Sequence, residues 1–171
     1  MTISIYDASV GVFTPYLGSL SGLLDRAAEF AEAKRIDPSI LLHTRLYPDM
    51  YDLTHQVGEA VRHAARACAL LAGVEPAQVS DVEPDLAELK ARISAAIDFM
   101  GTLRPEDING AGEKPVVFRF RNGSEQVFTG QSLLLTFSVP QFFFHVTTAY
   151  DILRHCGVGL VKKDFLGRPR A

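Results

Sequence analysis

The segment from Val139 to Gly157 constrains the fold of this chain more than any other. Phe142, Val146, Ala149, Leu153 and Cys156 recur at the three-and-four spacing that lines up one face of a helix. Ser138 stands where an N-cap would, and Gln141 three residues later completes a capping-box pattern, so the helix is expected to begin there. A helix this amphipathic must bury its apolar face against partners.

Three further stretches supply those partners. The first runs from Ser4 to Lys34, with Phe13, Leu17, Leu20, Leu24, Ala27 and Ala31 in helical register; Pro15 either kinks it or marks its first turn. Asp37-Pro38 reads as the cap and first-turn proline of a short helical piece. The second long helix spans Asp49 to Ala72, carries Met50, Leu53, Val57, Val61, Ala64, Cys68 and Leu71 on one stripe, and stops at Gly73. The third spans Pro84 to Thr102, with Leu86, Leu89, Ile93, Ala96, Ile97 and Met100 on one face.

Between the third and fourth helices the period changes. Pro105 to Lys114 reads as an exposed, mobile loop. Val116, Phe118 and Phe120 then alternate with polar or outward positions up to Asn122-Gly123, a strong hairpin signal for which both turn residues are expected at positive φ. The return strand is placed at Ser124 to Thr129, with Gln131 to Phe137 as its candidate extension. The expected fold is mainly α: an up-down four-helix bundle with a β-hairpin inserted before the last helix, in one domain over residues 1–171.

Charge and composition exclude several function classes. Seventeen basic against twenty acidic side chains give a net charge of −3, with no surplus to attract a nucleic-acid backbone. The tail residues Lys162, Lys163, Arg168 and Arg170 read as a solvated end. The longest apolar run, Leu133 to Val146, is broken by Ser138, Pro140, Gln141 and His145 and is too short to span a bilayer. The first residues lack the pattern of a secretory signal. Cys68 and Cys156 fall among apolar neighbours, as small buried side chains of a reducing compartment do. A cytoplasmic protein without membrane or nucleic-acid partners is expected.

Chemistry is expected at the edges of the apolar stripes. On the last helix Gln141, His145, Thr148, Ile152 and His155 share an arc of about 80°, with His145 nearest the stripe and His155 furthest from it. His155 is expected to form a surface pair with Asp151 at i, i+4. On the second helix Asp49, Gln56 and His63 recur at sevens along one edge, whereas His55 falls with Asp52, Glu59, Arg62 and Arg66 on the face read as solvated. The candidate ligand pocket is therefore Asp49, Gln56, His63, Gln141, His145 and Thr148. His145 is the candidate catalytic group, and His63 and His145 are the candidate metal ligands. No phosphate-binding glycine loop, nucleophile elbow or paired-cysteine motif occurs, and Asp49, Asp52, Asp81, Glu83 and Glu88 give no recognisable catalytic pair.

The segments Arg45-Leu-Tyr-Pro-Asp-Met50, Gln56-Val57, Asp81-Val-Glu83, Pro140 to Tyr150, Leu153-Arg-His155 and Lys163-Asp-Phe-Leu-Gly167 resemble a bacterial family known as domain of unknown function nineteen ninety-three. That family is similar to the DinB/YfiT-like superfamily of four-helix metalloenzymes, some of them thiol transferases or hydrolases. The resemblance implies a divalent metal held by one histidine of helix two and an H-x-x-x-H pair of helix four. Here the second histidine of that pair falls on His145, the first on Gln141, and Gln56 and His63 are nearest on helix two. With at most two of three ligands present, the leading expectation is a non-catalytic or small-ligand-binding bundle that forms a homodimer, without a metal cofactor. The alternative is a metal-dependent hydrolase or thiol transferase with an altered histidine site centred on His145.

Overall fold

Ser9 divides the first helical stretch in two. Ser4 caps α1 (Ile5–Ala8) by accepting from the Asp7 amide, and Ser9 then leaves helical geometry before α2 (Val10–Lys34) begins. The Ser9 hydroxyl donates to the carbonyls of Ile5 (2.7 Å) and Tyr6 (3.3 Å), the local bond by which serine competes with helix. The chain thus forms two helices where one is expected over Ser4–Lys34. Pro15 lies inside α2, where exposed Gly11 supplies the i−4 carbonyl that loses its donor and can turn to water. The computed structural model describes residues 3–76 and 84–167.

Asp37 caps the short α3 (Pro38–Leu42), with its proline in the first turn. The second long helix, α4 (Leu53–Ala72), starts four residues later than Asp49, because Asp52 is the residue whose carboxylate accepts from the His55 amide at 3.0 Å. Gly73, at φ 71°, ends it. Helix α5 (Leu86–Thr102) is capped by Asp85; Asp81 and Glu83 lie outside the described residues.

The segment expected as a mobile loop is folded. It forms α6 (Pro105–Ile108) and a 3-10 turn (Asn109–Ala111), buries Ile108 and Ala111, and is tied to α1 by the Asn109 side chain, which accepts from the Tyr6 amide at 2.9 Å. The hairpin follows: β1 (Pro115–Arg119) pairs antiparallel with β2 (Glu125–Thr129), Val117 opposite Val127 and Arg119 opposite Glu125. Its turn differs from the expected one. Gly123 has φ 83° but Asn122 stays at negative φ, and the Gly123 amide donates to the Phe120 carbonyl. This is a three-residue loop with one left-handed glycine, and it places Arg121 at the tip.

The last helix begins earlier than its capping-box pattern suggests. Thr129 and Ser132 cap each other reciprocally, starting α7 (Gly130–Ser132), which runs through a π-helical stretch (Leu133–Ser138) into α8 (Val139–His155). Neither the strand extension over Gln131–Phe137 nor the cap at Ser138 is formed. Pro140 explains the π turn: its ring would strike the carbonyl four residues back in a regular α-helix, and a wider turn before it relieves the clash.

Helices α2, α4, α5 and α8 enclose the main core, in which Phe13 meets Phe142 edge to face at 4.9 Å and Leu17, Leu20, Leu53, Val57, Leu89, Met100, Val146 and Leu153 are fully enclosed. A second cluster of Val116, Phe118 and Leu133 forms beneath the hairpin, with Phe120, Phe128, Phe137 and Leu70 packed on it. The tail helix α9 (Lys162–Leu166) folds back so that Phe165 touches Tyr16 and Tyr150. Cys68 is enclosed, and burial pushes its thiol up to about 12, which leaves it an inert packing group. His155 and Asp151 are exposed and make no ion pair with each other. No helix of the described residues is long and apolar enough to cross a membrane.

Candidate metal centre

Helices α4 and α8 pack against each other and bring His63 and His145 face to face. Their rings stack at 5.7 Å between centroids and 15° between planes, and both are buried. One helical turn before His63, Glu59 turns its carboxylate into the same space, with Oε2 3.8 Å from His63 Nε2. One donor atom from each of Glu59, His63 and His145 lies within 4.8 Å of the other two, and all three residues are buried. The Phe137 ring stands edge-on to His63 at 5.7 Å.

The protonation pattern follows from the surroundings. The Gln56 amide donates through Nε2 to the Tyr51 carbonyl at 3.1 Å, which aims Oε1 at His145 Nδ1, 2.7 Å away. An oxygen there requires Nδ1 to carry the proton, so His145 Nε2 holds a free lone pair. Burial, then the nearby Arg62 charge, lowers His63 to about 4. Burial likewise lowers His145, against the pull of Glu59. Both are neutral imidazoles at physiological pH. Burial pushes the Glu59 carboxyl up, but the hydrogen bond and charge of Arg62, with Arg121, outweigh it and hold Glu59 below the usual range.

This donor set fits a divalent transition ion. Two neutral imidazoles and one carboxylate are a common ligand set for zinc or iron(II), and an ion reached at about 2 Å by each donor needs only a small closing of the present separations. The Gln56 contact to His145 is the outer-sphere support that a metal-bound histidine usually has. Glu59 is shared: Oε1 pairs with Arg121 at 2.8 Å, and Oε2 accepts from Arg62 Nε at 2.9 Å.

The triad lies on one wall of a cavity of about 330 Å³ lined by Tyr51, Arg62, Arg66, Phe118, Phe120, Arg121, Phe137 and Gln141 besides the three donors. Of the residues read as a pocket from the sequence, His63, Gln141 and His145 face this cavity. Gln56 stands behind His145, as its orienting partner. Asp49 is exposed in the turn before α4, too early to join the helix face that carries His63. Thr148 is buried, but its hydroxyl donates to the Phe144 carbonyl at 2.7 Å instead of lining the cavity.

Glu59 is not among the residues expected at the site, because helix α4 alone puts it on the face away from the four-helix core. That face is covered by the hairpin instead: Arg66 lies 3.9 Å over the Phe118 ring, and Arg121 reaches back to Glu59. The recoverable signal was the i, i+4 spacing of Glu59 and His63, which sets two donors side by side on one helix.

A bundle of four long helices with a two-histidine, one-carboxylate cluster between its second and last long helices defines the class. The chain belongs to the family described as domain of unknown function (DUF1993), whose model matches residues 5–166. The crystal structure of a DinB family member protein from Shewanella denitrificans is similar throughout, at 33% identity and a TM-score of 0.89, covering 97% of this chain and 93% of that one. No curated protein matches the chain.

Proposed function

We propose that this protein is a metal-dependent enzyme for a small molecule, with Glu59, His63 and His145 as the ligands of one divalent transition ion. The observation that carries this reading is the convergence of three donor atoms, from three buried residues, within 4.8 Å on the wall of an open cavity. It supports the metal alternative over the ligand-only bundle, because Glu59 supplies the third ligand that Gln141 does not.

When bound, such an ion supplies Lewis acidity to a substrate in the cavity, suited to hydrolysis or to transfer onto a thiol. The protein's own groups do the rest. Gln56 fixes the His145 tautomer, Phe118, Phe120 and Phe137 keep one wall dry, and Arg62 and Arg121 hold the Glu59 carboxylate ionised. The two arginines also favour a second reading, a metal-free ligand pocket, since they already satisfy Glu59. We also propose a homodimer in a cytoplasmic setting, in which a second copy would cover exposed apolar side chains such as Tyr47 and Phe144.

Chelator-stripped protein, titrated with zinc, nickel, manganese or iron(II), separates the two readings by its melting temperature. The enzyme reading expects at least one ion to raise it, and expects Glu59→Gln and His145→Ala to abolish the rise. A melting temperature indifferent to all four ions supports the metal-free pocket.

A further inference from the structure

The cavity beside the triad carries an imbalance of charge that the triad does not explain. Among the described residues three guanidinium groups line it, those of Arg62, Arg66 and Arg121, against one carboxylate, Glu59, an excess of two positive charges. A divalent ion on the triad would raise this to +4. Arg66 pairs with no carboxylate among the described residues; it donates to the Arg119 carbonyl and stacks on Phe118. Arg62 and Arg121 both spend their ion pairs on Glu59, and each keeps further N–H donors, since a guanidinium has five. Arg121, at the hairpin tip, is 70% exposed despite its contact with Glu59, so its remaining donors face solvent.

Opposite this charge stands an aromatic wall. Phe118, Phe120 and Phe137 pack edge to face at 4.8–5.9 Å and all reach the cavity. The volume of about 330 Å³ matches one small metabolite and is too confined for a folded partner. Forked guanidinium donors recognise flat or tetrahedral oxyanions, and aromatic walls recognise apolar bodies.

We propose that the cavity takes a small organic oxyanion, a carboxylate or phosphate, with its charged head on Arg62, Arg66 and Arg121 and its apolar body against Phe118, Phe120 and Phe137. This names the substrate class of the proposed metal enzyme and rests on the same cavity. The arginines hold the head beside the triad, which places the adjoining bond of the substrate next to the three donors. The hairpin thereby becomes a recognition element, since it brings Arg121 and two of the three rings.

Calorimetric titration of the full chain tests this, using phenyl phosphate, phenylacetate, inorganic phosphate and neutral benzyl alcohol, with metal content measured on the same samples. At least one aromatic anion should saturate a single site, more tightly than inorganic phosphate, while benzyl alcohol does not. Which anion wins identifies the head group. Arg121→Gln and Arg66→Gln should each weaken binding by about tenfold, the loss of one charge-assisted contact. Arg121 sits on an exposed turn, so its variant keeps the fold even if Arg66→Gln loosens the hairpin. Equal binding of benzyl alcohol, or unchanged anion affinity in Arg121→Gln, overturns the proposal, as does the absence of saturation by either aromatic anion. Arginine-dependent anion binding to a metal-free protein upholds it while refuting the metal reading. Metal binding without anion binding does the reverse.

Discussion

His63 and His145 are held neutral by burial, and this has a measurable consequence for stability. A group whose folded pKa lies below its unfolded value gives its full stability above the unfolded pKa and loses it as pH falls. For His63 that window runs from the ordinary value of 6.5 down to about 4. The unfolded chain binds the extra proton there, so unfolding becomes easier with acid, by up to about 3 kcal/mol for His63 alone. Chemical denaturation of metal-stripped protein between those pH values should show the slope, and His63→Gln should flatten it. Gln56 makes a second residue-scale test. Gln56→Leu leaves His145 Nδ1 without its acceptor, and metal affinity should fall by about tenfold or more, the usual loss when an outer-sphere partner is removed. Unchanged affinity would mean that Gln56 does not orient His145. The helical wheel of α8 alone was enough to single out His145, because proximity to an apolar stripe translates directly into burial. Glu59 was illegible by the same rule, since its burial depends on a hairpin sixty residues downstream.

At the scale of elements, the last helix owes its course to Gly130 and Pro140. Gly130 lies where β2 turns into α7, and a Cβ built on it would stand 2.2 Å from the Ala111 carbonyl oxygen. The Gly130 amide also donates to the Lys114 carbonyl at 3.1 Å, which locks the helix start against the segment before the hairpin. Gly130→Ala should therefore destabilise by more than about 2 kcal/mol, against the few tenths usual for an exposed helix start. A melting curve matching the wild type would contradict the close approach. The long helices themselves were legible because their apolar residues recur over several turns, and α2, α4, α5 and α8 bury most of the stripes read from the sequence; Met50 is the exception, lying before α4 and outside the core, while Leu86, Ile97 and Cys156 are half-buried. Boundaries were less so. Asp49 and Asp52 are both residues that cap helices, and the cap falls on Asp52, which accepts from the His55 amide; Ser138-Pro-Gln resembles a helix start, although Thr129 and Ser132 had already begun one. The segment from Pro105 to Lys114 looked like an open loop because two buried side chains, Ile108 and Ala111, are too few to show a period.

The whole molecule is a helical bundle with two interiors. One is the apolar core of the four long helices, in a fold shared with the Shewanella denitrificans DinB family member. The other lies between α4, α8 and the hairpin, where charged and aromatic side chains meet around the two histidines. The proposed metal site of Glu59, His63 and His145 lies in this second interior. Elemental analysis of the untagged, full-length protein, purified without chelator, tests it most directly. Close to one divalent transition ion per chain is expected, lost in both Glu59→Gln and His145→Ala while helical content persists. Metal-free protein that takes up no ion on dialysis against zinc, nickel, manganese or iron(II) would contradict it.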